Sequence, residues 1–105
     1  MGLFDFFRTP DITAMAAGAK ANGARLVDVR TPEEYAQGHI NGSVNVPLDT
    51  LPGGAAILGK SDKIYVYCRS GARSGRAAAV LRGSGFTDVT NIGGIMDYRG
   101  QLTAE

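Results

Sequence analysis

The sequence predicts an α/β domain built around a mostly parallel sheet. Short runs of β-branched and aromatic residues alternate with helical or turn-rich segments along the chain. The two clearest runs, 26–29 and 64–67, show little polar alternation, which is typical of strands covered on both faces in a parallel sheet. Their separation leaves room for crossover connections instead of tight hairpins. We therefore expect strands at the centre with helices packed against them.

Four strands are expected in chain order. Residues 26–29 (LVDV) and 64–67 (IYVY) are short, rich in β-formers and bounded by turn signals. Residues 44–46 and 89–92 carry the same composition over shorter or more polar runs. These two segments are the weaker strand candidates.

A helix is expected to begin at Thr31. Thr31 suits the N-cap, Pro32 suits the first helical position, and Glu34 completes a capping box. Gly38 is expected to end this helix after about two turns.

Two further helices are expected, one later and one earlier in the chain. Small and apolar residues recur at helical spacing between 73 and 84: Ala77, Val80, Leu81 and Ser84. Gly85 followed by Phe86 resembles a left-handed helix cap with its apolar contact. An earlier helix is expected over 13–21, although Gly18 weakens it.

Length and composition indicate one domain over residues 1–105, with 1–10 as an N-terminal extension. The chain is 44% hydrophobic and 20% charged, with a formal net charge of +1. Disordered chains combine low hydrophobicity with high net charge, so this composition argues against disorder. No basic stripe is present, and we expect no nucleic-acid partner.

The single cysteine, Cys68, excludes an internal disulfide and a zinc site built on several thiolates. A lone free thiol fits a reducing compartment. No apolar run reaches the roughly 7–15 residues of a signal-peptide core or the roughly 20 of a membrane span. We therefore expect a cytoplasmic protein without a membrane partner.

The segment that carries chemistry is 67–76, with the sequence YCRSGARSGR. It lies between a predicted strand and a predicted helix, where open α/β sheets bind their ligands. A loop with a glycine at Gly71 can turn several backbone N–H groups inward around an anion. Three arginines add positive charge: Arg69, Arg73 and Arg76.

Cys68 stands at the start of this loop. A free cysteine is more often a small buried hydrophobe, but this position favours a reactive thiol. Electropositive surroundings lower a thiol pKa from about 8.5 to about 3.5–7.5. We therefore expect Cys68 to be largely thiolate near neutral pH and to attack a sulfur or phosphorus centre.

Other polar residues have structural explanations. Asp28 is expected to pair with a guanidinium such as that of Arg30, or with backbone amides, because an unpaired buried carboxylate is costly. Glu33 and Glu34 are explained by helix capping alone. His39 is expected to be structural, since it lies in a turn far along the chain from Cys68.

Four segments together resemble the rhodanese family. Its two N-terminal signatures resemble LVDVRTPEEY at 26–35 and GHINGSVNVP at 38–47. Its active-site loop resembles YCRSGARS at 67–74, and the segment that closes its sheet resembles NIGGI at 91–95. In order and spacing, the matches cover about residues 12–100.

The resemblance implies a rhodanese-like, five-stranded mostly parallel sheet flanked by helices on both faces. It implies that Cys68 accepts sulfane sulfur from an anionic donor such as thiosulfate and passes it to cyanide, a small thiol or a protein thiol. No metal or organic cofactor is implied. The loop implied to hold the sulfur consists of Arg69, Ser70, Gly71, Ala72 and Arg73.

Two other functions remain open. Phosphatases of related fold, and arsenate reductases, are the second enzyme class; the phosphatases place five residues between Cys and Arg. Cys68 and Arg73 have four between them, and the smaller ring favours a single sulfur over a phosphate. A persulfide carrier or binding module that docks on a partner without turnover is the non-enzymatic class.

Overall fold

The computed structural model describes residues 11–105, and the expected N-terminal extension at 1–10 lies outside the described residues. Within this range the helices are α1 (Ile12–Gly18), α2 (Pro32–Gln37) and α3 (Ala72–Gly83). The strands are β1 (Ala24–Asp28), β2 (His39–Ile40), β3 (Val44–Asn45), β4 (Lys63–Cys68), β5 (Asp88–Gly94) and β6 (Leu102–Thr103). Short 3-10 helices span Leu48–Thr50, Gly53–Ile57 and Ile95–Asp97. None of the helices in this range is long and apolar enough to cross a membrane.

The main sheet has four strands in the order β3-β1-β4-β5, and all its pairings are parallel. The expected α/β class is confirmed, but the expected count of five strands is wrong for the described residues. The remaining two strands, β2 and β6, pair with each other in a separate antiparallel ribbon. That pairing joins Ile40 to Leu102, so β6 adds no strand to either edge of the main sheet.

Strand alternation divides β4 between the two faces of the sheet. Ile64, Val66 and Cys68 point to one side, where α3 packs, while Tyr65 and Tyr67 point to the other. The second side is covered by α1, whose apolar residues join the same cluster as the two tyrosines. Helices therefore flank both faces, as expected, and Cys68 is directed toward α3.

The predicted helix caps are present. Thr31 Oγ1 accepts the Glu34 N–H at 3.2 Å, and Glu34 accepts the Thr31 N–H at 3.1 Å, which completes the capping box. At the end of α3, Gly85 adopts φ 96°, and the Phe86 N–H donates to the Leu81 carbonyl at 3.1 Å. This is the left-handed cap that the sequence indicates.

The first helix is shorter than predicted, since α1 ends at Gly18 instead of continuing to position 21. The chain turns through residues 19–23, and Gly23 takes the left-handed conformation that leads into β1. Glycine provides that conformation at no steric cost.

Candidate active site

Cys68 is the last residue of β4, and its side chain is buried between the sheet and α3, with 1% of its surface exposed. It belongs to the same core cluster as Val66 and Ala77. Burial on its own is typical of an inert cysteine. What distinguishes Cys68 is the set of hydrogen-bond donors that converge on its sulfur.

Donors from the loop and from α3 reach Sγ of Cys68. The Gly71 N–H donates to Sγ at 3.0 Å, and the Ser74 hydroxyl lies 3.4 Å from it. Burial is the largest single influence on the pKa of Cys68 and raises it. The hydrogen bonds from the Ser74 side chain and from the N–H groups of Ser74, Gly71 and Ser70 together outweigh it, so the net pKa is lowered. The direction agrees with the sequence-based expectation.

Two glycines allow the loop to close around the sulfur. Gly71 occupies the N-cap of α3 with φ 101°, a conformation that strains other residues. Gly94 pairs with Cys68 across the β4–β5 ladder. A Cβ on Gly94 would lie 2.3 Å from the Arg69 carbonyl oxygen and 2.6 Å from the Ser70 Cα. The loop is therefore packed directly on the backbone of β5.

Arg73 is held by a carboxylate from α2. Its Nη1 and Nη2 atoms donate to Oε1 and Oε2 of Glu34 at 2.7 and 3.0 Å. The hydrogen bond from Arg73 lowers the pKa of Glu34 to about 2. The expectation that capping alone explains Glu34 is therefore wrong, because the same carboxylate also anchors the far end of the loop. A role for Arg73 in binding the donor stays a prediction.

The other predicted loop residues take different positions. Arg69 is exposed and forms no ion pair with any residue between 11 and 105. The Ala72 N–H lies 3.5 Å from the Ser70 hydroxyl, which accepts it, so this amide is directed away from the sulfur. Arg76 is exposed on α3.

Asp28 and His39 have the structural contacts expected of them. Arg30 donates to both carboxylate oxygens of Asp28, at 2.7 Å in the shortest contact, and both side chains are buried. His39 stacks on the Tyr35 ring with 3.6 Å between ring centroids, and its Nδ1 lies 2.7 Å from the Tyr35 carbonyl.

Two residues that the sequence patterns did not single out, Ser74 and Asn91, also contribute to the site. The Ser74 hydroxyl donates to Asn91 Oδ1 at 2.7 Å, and Asn91 Nδ2 donates to the Gly71 carbonyl at 3.0 Å. One signal was available, since asparagine is depleted in strands and stands inside β5. A polar residue at such a position indicates a specific hydrogen-bonding role.

Comparison with known proteins decides the family. The family model of the rhodanese-like domain matches residues 11–101. The chain belongs to the rhodanese-like family. It is a rhodanese-type enzyme, a sulfurtransferase by family membership. In this rhodanese domain the loop with Cys68 follows β4 of the four-stranded parallel sheet.

Named relatives support this assignment. The chain is 41% identical over 73 residues to "Thiosulfate sulfurtransferase PspE" of Escherichia coli, covering 68% of this chain and 70% of the relative. It is 36% identical over 96 residues to "Putative sulfur carrier protein YrkF" of Bacillus subtilis, covering 88% and 52%. Among solved structures, "rhodanese with anions from E. coli" superposes with a TM-score of 0.67 at 36% identity, covering 78% of this chain and 99% of that one.

Two cavities flank the loop of the rhodanese domain. One, of about 680 Å³, borders Ser70, Gly71 and Asn91. The other, of about 460 Å³, borders Arg69 and Met96. Between residues 11 and 105, no group of three or more His, Cys, Asp or Glu side chains is placed to hold a metal ion.

Proposed function

We propose that this enzyme transfers sulfane sulfur from an anionic donor such as thiosulfate to a thiophilic acceptor, through a persulfide on Cys68. The observation that carries the proposal is the convergence of the Gly71 N–H and the Ser74 hydroxyl on one buried sulfur. Such donors stabilise a thiolate and the negative charge of a terminal persulfide sulfur. The relatives named as thiosulfate sulfurtransferases support the choice of donor.

The proposed reaction has two steps. In the first, the Cys68 thiolate attacks the outer sulfur of thiosulfate, the S–S bond of the donor breaks, and sulfite leaves with the bonding electron pair. In the second, a thiolate or cyanide attacks the outer sulfur of the persulfide and releases the Cys68 thiolate. No external oxidant or reductant is needed, and the scheme is ping-pong.

Within this scheme the loop from Arg69 to Arg73 is the substrate-binding element. The N–H groups of Ser70 and Gly71 stabilise charge on sulfur, while exposed Arg69 attracts the anionic donor. Four residues between Cys68 and Arg73 form a smaller ring than phosphatases use. This ring size supports sulfur over phosphate as the transferred group.

Intact-mass measurement tests the proposal. After incubation with thiosulfate and removal of excess donor, the wild-type mass is expected to rise by one sulfur atom, and thiocyanate is expected to form when cyanide is added. Cys68→Ser is expected to lose both, whereas Arg76→Ala, on the exposed side of α3, is expected to retain both. A mass gain that persists in Cys68→Ser would exclude the persulfide on this residue. Cys68-dependent hydrolysis of p-nitrophenyl phosphate would instead indicate a phosphatase.

A second candidate is a persulfide carrier that delivers sulfur to a protein thiol. Two observations favour it: one relative is named a putative sulfur carrier protein, and exposed Met96 and Leu102 lie beside Arg69 on the smaller cavity. A carrier is expected to give one turnover with small acceptors and many with its protein partner. We place either activity in a single cytoplasmic domain over residues 1–105, since a lone free thiol suits a reducing compartment.

A further inference from the structure

The Asn91 side chain makes three hydrogen bonds: one to the sulfur-binding loop, one to α3 and one within β5. Its Oδ1 accepts the Ser74 hydroxyl at 2.7 Å and the Gly93 N–H at 3.1 Å. Its Nδ2 donates to the Gly71 carbonyl at 3.0 Å. The Gly93 and Gly71 bonds fix the orientation of the amide, because exchanging its oxygen and nitrogen would set Nδ2 against the Gly93 N–H and Oδ1 against the Gly71 carbonyl. Asn91 therefore presents a fixed acceptor to Ser74.

The Ser74 hydroxyl has one proton and two acceptors within reach. Asn91 Oδ1 is 2.7 Å away, and Sγ of Cys68 is 3.4 Å away. Ser74 is completely buried, so water does not offer a third partner. When Cys68 is a thiol, its S–H can donate to Ser74 Oγ while the hydroxyl donates to Asn91. When Cys68 is a thiolate, the best donation is from the hydroxyl to the charged sulfur.

We propose that Asn91 is a positioning residue whose Oδ1 holds the Ser74 hydroxyl proton away from the sulfur while Cys68 is a thiol, and so restrains ionisation of Cys68. Ionisation releases the Cys68 proton to solvent, after which the hydroxyl rotates from Oδ1 to Sγ. The Oδ1 atom keeps its bond from the Gly93 N–H in both states. The hydrogen bond lost to Asn91 offsets part of the one gained by the thiolate.

This restraint has a use in the proposed sulfur transfer, on which the inference rests. The nucleophilicity of a thiolate falls as its pKa falls, and the best attacking thiol has a pKa near the ambient pH. The loop amides and the Ser74 hydroxyl together lower the pKa of Cys68. An acceptor that competes for one donor keeps the sulfur both ionised and reactive.

The charged groups around Cys68 do not take the place of Asn91 as the acceptor of the Ser74 hydroxyl proton. On α3, Arg73 is paired with Glu34 of α2, and on β1, Asp28 is paired with Arg30. The loop itself contributes exposed Arg69. On β5, the ionisable residue is Asp88, which lies opposite Lys63 in the strand register, at the other end of β4 from Cys68. Asn91 is the group from β5 that reaches the Ser74 hydroxyl.

A double-mutant cycle on the pH dependence of Cys68 alkylation tests the proposal. The rate with iodoacetamide is measured against pH for wild type, Asn91→Ala, Ser74→Ala and the double variant. Asn91→Ala is expected to shift the midpoint to lower pH and Ser74→Ala to higher pH, each by about 0.5–1 pH unit, the scale of one hydrogen bond. The double variant is expected to match Ser74→Ala, because Asn91 acts through the hydroxyl.

The proposal would be overturned if Asn91→Ala shifted the alkylation midpoint equally in the wild-type and Ser74→Ala backgrounds, or shifted it to higher pH. Asn91 would then only hold the Gly71 carbonyl in place. Asn91→Asp separates these roles further. It loses the Nδ2 donor to Gly71 as Asn91→Ala does, but it keeps the acceptor and adds charge, so its midpoint is expected to move to higher pH.

Asn45→Ala is the matched control. Its Nδ2 donates to the Asp28 and Arg30 carbonyls at 3.0 Å each, so it loses similar backbone contacts away from the sulfur. Its alkylation midpoint is expected to equal that of wild type. Alkylation requires no sulfur donor, and therefore this experiment can fail while the persulfide measurement succeeds, or succeed while it fails.

Discussion

Gly94 has no side chain, and the sulfur-binding loop packs directly against its backbone. Any Cβ at this position would overlap the Arg69 carbonyl and the Ser70 backbone. The Met96 N–H also donates to the Arg69 carbonyl at 3.1 Å, which fixes the loop from the same side. The position of the sulfur-facing amides therefore depends on a residue that contributes no functional group.

Gly94→Ala is expected to lower the rates of Cys68 alkylation and of persulfide formation at least tenfold, since displacements of about 1 Å in a catalytic group can cost about 100-fold. Gly83→Ala is the control: it lies at the end of α3 with no neighbour within 4 Å of the added Cβ. That variant is expected to react as wild type and to unfold at slightly higher urea. Wild-type rates in Gly94→Ala, at unchanged circular dichroism, would show that the loop tolerates the displacement.

Among the elements, α2 does more than the sequence indicates. The capping box of Thr31 and Glu34 was predictable because its residues are three apart in the chain. The bridge from Glu34 to Arg73 was not, because 39 residues separate them and only the folded sheet brings α2 beside α3. The β2–β6 ribbon was missed for a similar reason, since two-residue strands are too short to show periodicity.

Glu34→Gln tests the bridge, because glutamine keeps the capping box and removes the charge. The pKa of Glu34 falls from 4.5 to about 2 in the folded state, so the bridge stabilises fully above pH 4.5 and is lost as pH falls toward 2. Urea unfolding at pH 7 is expected to show Glu34→Gln less stable by about 0.5–1 kcal/mol, the scale of a partly exposed ion pair.

That difference in unfolding free energy is expected to shrink between pH 4.5 and pH 2. Glu33→Gln is the control, since Glu33 is exposed on the same turn and should show little difference at either pH. If the difference in unfolding free energy between wild type and Glu34→Gln stayed constant down to pH 2, the stabilisation would come from the side-chain contacts of Glu34 and not from its charge.

At the scale of the whole molecule, the fold was predictable further than the site. Strand composition and helix caps located β1, β4 and α3, and the loop between the last two followed from their order. Hydrogen bonds between loop and β5 could not be read from the chain, because Asn91 lies 20 residues from Gly71 and parallel pairing brings them together. Local patterns therefore singled out Cys68 as the candidate nucleophile, while long-range pairing determined its environment.

Long-range pairing also determines which charges reach the substrate. The chain has a net charge of +1, and two arginines, Arg30 and Arg73, form ion pairs with Asp28 and Glu34. Within residues 11–105, Arg69 is the loop arginine without an ion-pair partner. The attraction of the site for anions is therefore expected to depend on Arg69 more than on Arg73.

Alkylation of Cys68 by iodoacetate and by iodoacetamide, reagents of similar size and different charge, tests this expectation. Arg69→Ala is expected to lower the iodoacetate rate relative to the iodoacetamide rate by about twofold to fivefold at low salt, an effect that about 0.5 M salt removes by screening. Arg73→Ala combined with Glu34→Gln removes a neutral pair and is expected to leave the ratio nearly unchanged. A ratio that falls as far in this double variant as in Arg69→Ala would assign anion recognition to Arg73, in spite of its bond to Glu34.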